Sequence, residues 1–131
     1  MKEYNNANGK YYSLIYHIVF CARYRRKIFL IEGLEDRFKA AVEDVCNKNG
    51  MILYGIDCHI DYCYITVGVS PELSVAQAIA KIKGYTGRIL LAEVDVFSKT
   101  QNLWTRNYLA STSKIAKDDI DEFADKQITH Y

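Results

Sequence analysis

Residues 52–69 read ILYGIDCHIDYCYITVGV, and the phase of their apolar positions decides the fold. Apolar side chains fall first on even numbers, at Ile52, Tyr54, Ile56 and Cys58. They then fall on odd numbers, at Cys63, Ile65, Val67 and Val69. Side chains of a strand alternate between two faces, so a strand cannot change phase without a break. The break lies at about His59 to Asp61, which predicts two strands of a hairpin joined by a turn.

Upstream, Leu34, Phe38, Ala41, Val42 and Val45 recur at helical spacing with charged residues between them. Asn49-Gly50 supplies residues that tolerate a left-handed stop, so a helix is expected from about Ile31 to Lys48. Before it, Tyr12 to Ala22 (YSLIYHIVFCA) is apolar on both faces, as a central strand is. Downstream, Ser70-Pro71 ends the hairpin, and Ser74 with Gln77 matches a capping box. Val75, Ala78, Ile79, Ile82, Ile89 and Leu90 carry a second helix to about Ala92. Gly84 inside it either weakens the helix or lets another backbone come close. Val94 to Asn102 reads as an irregular connection. Trp104 to Thr112 reads as a fourth strand, strongest at Tyr108 to Ala110. Residues 114–131 form a last helix, capped by Ser113 or a neighbour, with Asp118 and Asp119 near its start, where carboxylates suit the dipole. Ile120, Phe123, Ala124 and Ile128 would form one face of it. The first six elements predict an α+β fold, a ferredoxin-like βαββαβ domain with an antiparallel sheet and two helices on one face. The C-terminal helix must lie on the open face, at an edge, or on a partner chain.

The chain has 131 residues and 15.1 kDa, which suits a single domain over 1–131, with residues 1–11 a polar lead. Lys plus Arg is 17 against 16 Asp plus Glu, a formal net charge of +1. This excludes a polybasic tail but not a local basic patch. No apolar run approaches a membrane span, and Met1 to Lys10 holds no apolar signal segment, so a cytoplasmic protein is expected. Cys21, Cys46, Cys58 and Cys63 stand singly, which predicts free thiols rather than a zinc or redox motif. Tyrosine is in excess, at 11 against 5 Phe and 1 Trp.

Four strings then occur in order. They are Tyr16-His17-Ile18-Val19-Phe20-Cys21-Ala22-Arg23-Tyr24-Arg25-Arg26, Ser74-Val75 with Lys83-Gly84, Leu103-Trp104 with Asn107-Tyr108, and Phe123 to Gln127. On this element order they resemble the single-tyrosine transposases of the smallest bacterial insertion sequences, REP-associated relatives included, within the HUH superfamily. The resemblance implies cleavage and joining of single-stranded DNA at imperfect hairpins by a homodimer. It implies two histidines and a C-terminal glutamine that hold Mg²⁺ or Mn²⁺ on the scissile phosphate. A tyrosine four residues before that glutamine would attack, leaving a 5′-phosphotyrosine and a free 3′-OH.

This sequence departs from that pattern where the chemistry lies. The two metal-ligand histidine positions align on Tyr62 and Tyr64, and the nucleophile position on Phe123; only Gln127 is retained. A phenol with a pKa near 10 is a poor ligand for a hard dication, and Phe123 has no nucleophilic atom. No cofactor is therefore expected, with Mg²⁺ or Mn²⁺ relevant only to residual activity. A substitute metal set of His59, Asp61 and Gln127 is weighed against a plain polar turn, and the turn is favoured. Tyr62 or Tyr64 as a displaced nucleophile lacks a visible base. Tyr131 lies two helical turns past Phe123. His17 reads as a sheet residue, packed or bonded to backbone, and His130 as solvated.

The run Arg23, Tyr24, Arg25, Arg26, Lys27 suits a single strand: cations track phosphates while Tyr24 stacks a base. Lys81, Lys83, Tyr85 and Arg88 add a second basic cluster on the helix that resembles the family's hairpin-contacting one, and Arg106 adds to the same side. Acidic residues gather elsewhere, at Glu32 to Asp44 and Asp118 to Asp125, so a polarised surface is expected. The expectation is a transposase-like protein that binds hairpins of single-stranded DNA as a homodimer, off the membrane, without cleavage. The alternatives are an active transposase or nuclease with a relocated site, and a dimeric ferredoxin-like scaffold for RNA or protein.

Overall fold

The computed structural model describes residues 4–97 and 99–127. A two-stranded ribbon comes first, β1 (Asn5–Ala7) against β2 (Lys10–Tyr12). Asn8 and Gly9 turn it with φ of 54° and 80°. Two left-handed residues are what a tight hairpin turn needs, and Asn-Gly supplies them. The expected polar lead is thus a hairpin over most of its length.

The main body runs β3 (Ile15–Cys21), α1 (Leu34–Lys48), β4 (Ile52–Cys58), β5 (Tyr62–Gly68), α2 (Val75–Glu93), β6 (Leu109–Ser111) and α3 (Lys117–Lys126). The strands form one antiparallel sheet in the order β4-β5-β3-β6, the expected ferredoxin-like arrangement. The turn between β4 and β5 falls where the phase changes. Alternation along β3 builds two cores. Ile18, Phe20 and Ala22 join Phe38, Val42, Ile79 and Ile82 beneath α1 and α2. Val19 and Cys21 join Tyr62, Ile115, Ile120 and Ala124 on the other face. That second core settles where α3 lies: on the open face of its own sheet. Both faces of β3 are buried from Ile18 to Cys21, which is why that stretch is apolar at every position.

Trp104 sits at the centre of the first core, 6% exposed. Its ring meets Phe20 edge-on at 4.8 Å, Phe38 at 5.5 Å, and stacks on Phe29 at 6.2 Å. The indole N–H donates to Thr86 Oγ1 at 3.1 Å, and that hydroxyl donates to the Ile82 carbonyl at 2.7 Å. The backbone beside it extends the sheet: Arg23 N–H donates to Leu103 O and Thr105 N–H to Cys21 O.

Several boundaries differ from expectation for identifiable reasons. α1 begins at Leu34, not Ile31, because Gly33 takes a φ of 79° and Ile28–Leu30 form a 3₁₀ turn that buries Ile28 and Phe29. The strand expected over Trp104 to Thr112 is split into an isolated bridge between Ala22 and Trp104, and β6. Between them Lys83 Nζ donates to Thr105 O at 2.5 Å and Asn107 O at 3.2 Å, so these carbonyls bond to a lysine rather than to β3. α3 is preceded by Ala116, without a side-chain cap. Ser113 instead gives its N–H to Ser111 Oγ at 3.0 Å. Ile128, His130 and Tyr131 lie outside the described residues. All four cysteines are free, and burial pushes the Cys21 thiol up to about 12 and Cys46 up to about 11. Among the described residues no helix is long and apolar enough to cross a membrane.

The indole–hydroxyl bond gives a test of this core. Thr86→Val leaves the indole N–H buried and unpaired, which should lower stability by ~1–3 kcal/mol. Urea denaturation followed by circular dichroism reads the change, and an unmoved midpoint would refute the role given to Thr86.

Candidate nucleic-acid interface and altered centre

β5 and α3 bring the expected centre together. Tyr62, Tyr64 and Phe123 share the second core, and Gln127 ends α3 at 3% exposed. Each is occupied structurally. The Tyr64 hydroxyl accepts the Ile115 N–H at 3.1 Å and is hydrogen-bonded to His17 Nδ1 at 2.8 Å. His17 is thus a sheet residue packed edge-on against Tyr64, and its ring bonds a side chain. The Tyr62 ring stacks on His59 at 4.4 Å, and burial raises the Tyr62 phenol pKa, so it stays protonated. Gln127 Nε2 donates to Phe123 O at 3.3 Å, while its buried Oε1 has no partner among the described residues. Asp61 is held by Arg25 Nε at 2.8 Å. Two phenols, an ion-paired carboxylate and one amide oxygen do not suit a divalent cation. Among the described residues no group of three or more His, Cys, Asp or Glu could hold a metal.

The basic run takes an unusual path. Tyr24 and Arg25 have φ of 62° and 51°, both left-handed. Arg25 turns inward and bridges the β4–β5 turn to α3 through Asp61 and, at 3.1 Å, Asp125. It fastens the fold instead of facing a ligand. Tyr24 is 57% exposed, with the Arg23 and Arg26 guanidinium carbons 5.4 and 5.8 Å from its ring centroid.

Three adjoining cavities run from there across one side of the molecule. The largest, about 560 Å³, is lined by Arg23, Lys83, Arg88 and Arg106 over Trp104 and Leu91. A second, about 250 Å³, shares Arg23 and adds Tyr24, Arg26 and Lys99. A third, about 420 Å³, shares Arg26 and Lys99 and adds Lys27. No acidic residue lines any of the three, as the expected charge separation requires. Burial brings Lys83 down to about 8. Lys81 is exposed on α2 but lines none of these cavities. Tyr85 faces α1, donating its hydroxyl to Asp44, and so is not part of the groove. Lys99, Gln101, Asn102 and Thr105 line it unexpectedly, because the connection that carries them has no period to read.

A family model described as "Transposase IS200 like" matches residues 10–127. The ISDra2 transposase TnpA of Deinococcus radiodurans is 21% identical over 129 residues, 95% of this chain and 91% of that protein. The transposase for insertion sequence element IS200 of Salmonella typhimurium is 27% identical over 101 residues, 74% of this chain and 65% of that protein. A solved transposase structure from D. radiodurans superposes with a TM-score of 0.80 at 21% identity, covering 94% of this chain and 97% of that one. A REP-associated tyrosine transposase bound to a REP hairpin superposes with a TM-score of 0.58 at 12% identity, covering 93% and 68%.

The Tyr64 hydroxyl links β5, β3 and the lead into α3, so its removal is informative. Tyr64→Phe strands the Ile115 N–H and should lower stability by ~1–2 kcal/mol, with hydrogen exchange quickening first in α3. Unchanged exchange there would refute the link.

Proposed function

Since the chain belongs to the IS200-like transposase family, we propose that it recognises hairpins of single-stranded DNA through the cavity-lined basic groove and does not cleave them. The carrying observation is the groove itself: Arg23, Arg26, Lys27, Lys83, Lys99, Arg88 and Arg106 line contiguous cavities without one carboxylate. Such a surface neutralises phosphates, and the exposed Tyr24 ring between two guanidiniums offers a stacking platform. The structure of a relative bound to a REP hairpin supports the choice of ligand. Loss of cleavage is supported by the donor set. The positions for metal and nucleophile hold Tyr62, Tyr64 and Phe123, and the Tyr64 oxygen is already engaged by Ile115 and His17.

The proposal includes a homodimer. Strand β4 is a sheet edge with no strand on its outer side among the described residues, and Ile52 and Tyr54 are exposed along it. A bare apolar edge of this kind invites pairing with another strand. Sedimentation should give twice 15.1 kDa, and a monomer at micromolar concentration would remove this part of the proposal.

A second reading has one observation in its favour. The Tyr64 phenol is hydrogen-bonded to an imidazole, the arrangement of a nucleophile and its base. Incubating labelled single-stranded hairpin DNA with Mn²⁺ and the protein separates the two. Recovery of intact DNA supports recognition alone, and a denaturant-stable adduct lost in Tyr64→Phe supports the relocated site.

Hairpin affinity measured by filter binding should fall steeply with salt. It should also fall as pH rises through about 8, where Lys83 loses its proton in the free protein. The sign follows from the charge: below that pH Lys83 is a cation beside phosphate, above it a neutral amine. Lys83→Met should remove the pH step. Binding that ignores both salt and pH would overturn the groove assignment.

A further inference from the structure

Among the described residues three buried side-chain atoms have no hydrogen-bond partner, and two of them, Arg23 Nε and Thr105 Oγ1, belong to residues lining the largest cavity. Thr105 is 2% exposed. Orphaned polar atoms are costly in a folded protein and call for a partner. Lys83, which lines the same cavity, gives Nζ to two carbonyls, and an ammonium has three donors. Arg88 and Arg106 complete the wall.

Gly84 is the second, independent observation. It lies mid-way along α2 and lines the same cavity. Glycine weakens a helix interior, so its presence needs a reason. Among the described residues none provides one: a Cβ placed there would meet only the end of the Arg88 side chain, at 3.9 Å. The backbone at Gly84 is therefore open on the side of the cavity it lines.

We propose that the cavity between α2 and residues 101–106 is a built phosphate seat. On binding, Arg23 Nε and Thr105 Oγ1, closed to solvent in the free protein, turn toward the cavity and join Lys83 Nζ on the oxygens of one phosphate group that comes in against Gly84. This deepens the nucleic-acid reading and rests on it: the occupant is a single backbone phosphate of the bound strand, or a free phosphate of the same chemistry. Lys83 suits the task, because burial holds its pKa near 8 and an arriving anion favours the charged form.

Two uncharged substitutions in the full chain test the seat. Thr105→Val removes a hydroxyl that bonds nothing in the protein, and should leave the melting temperature unchanged or raised. Gly84→Ala should raise it, by strengthening the helix. Both should weaken binding of a labelled DNA hairpin with a single-stranded tail roughly tenfold. Both should also reduce the slope of log affinity against log salt by about 0.7–0.9, the loss of one neutralised phosphate. A purely structural role would not move that slope in a variant whose charge is unchanged. Inorganic phosphate provides the second arm. If it raises the melting temperature of the wild type but not of Thr105→Val, the seat also accepts the free anion. If the wild type binds the hairpin, wild-type affinity and slope in both variants, without phosphate protection, would overturn the seat and leave the groove reading standing. If the wild type binds no hairpin, the groove reading fails; phosphate protection then supports the seat, and its absence overturns it.

Discussion

The burial of Trp104 is the constraint on which the rest of the molecule depends. Its ring fills the space between β3, α1 and α2, and its N–H is satisfied by Thr86 of α2. Because the indole cannot leave, residues 103–105 are laid against the end of β3. Residues 106–108 are then forced out of the sheet, since β6 resumes in register only at Leu109. The gap is closed by Lys83 from the helix. One buried side chain thus fixes a helix, a strand end and a loop around a cationic cavity. The wall of the groove is a by-product of how the core is filled.

The opposite face follows a different logic. Beneath the last helix the structure places hydrogen bonds and an ion pair. The Tyr64 hydroxyl holds the lead into α3, and Arg25 holds the body of the helix through Asp125. The Tyr64 phenol thereby adds a bond to backbone between strand and helix lead, with the β3–β5 register unbroken.

What was legible in the sequence was what obeys a period. The phase change at residues 59–61, the stripe of α1 and the capping box of Ser74 and Gln77 all appear where expected. Tyr62, Tyr64 and Phe123 are singled out by the family resemblance, not by a period, and the second core gathers all three. What escaped depends on partners far apart along the chain. His17 and Tyr64 are separated by 47 positions, and no local pattern announces their bond. Arg25 looks identical to its neighbours in a list of cations; its pairing with Asp61, 36 positions away, sets it apart. Lys99 and Thr105 joined the groove from segments with no repeat to read, and the Asn8-Gly9 hairpin lay in a stretch whose polarity suggested no structure.

Trp104 is the chain's only tryptophan, and it is at once the heart of the core and a wall of the largest cavity. The protein therefore has a built-in optical reporter. Its emission will shift to the red when the core opens to water. It will change in intensity when an aromatic base or an ion displaces water from the cavity beside it. The two signals differ in kind, so occupancy and unfolding are separable in one unlabelled sample. One ring shared between the core and the cavity wall thus reports on both.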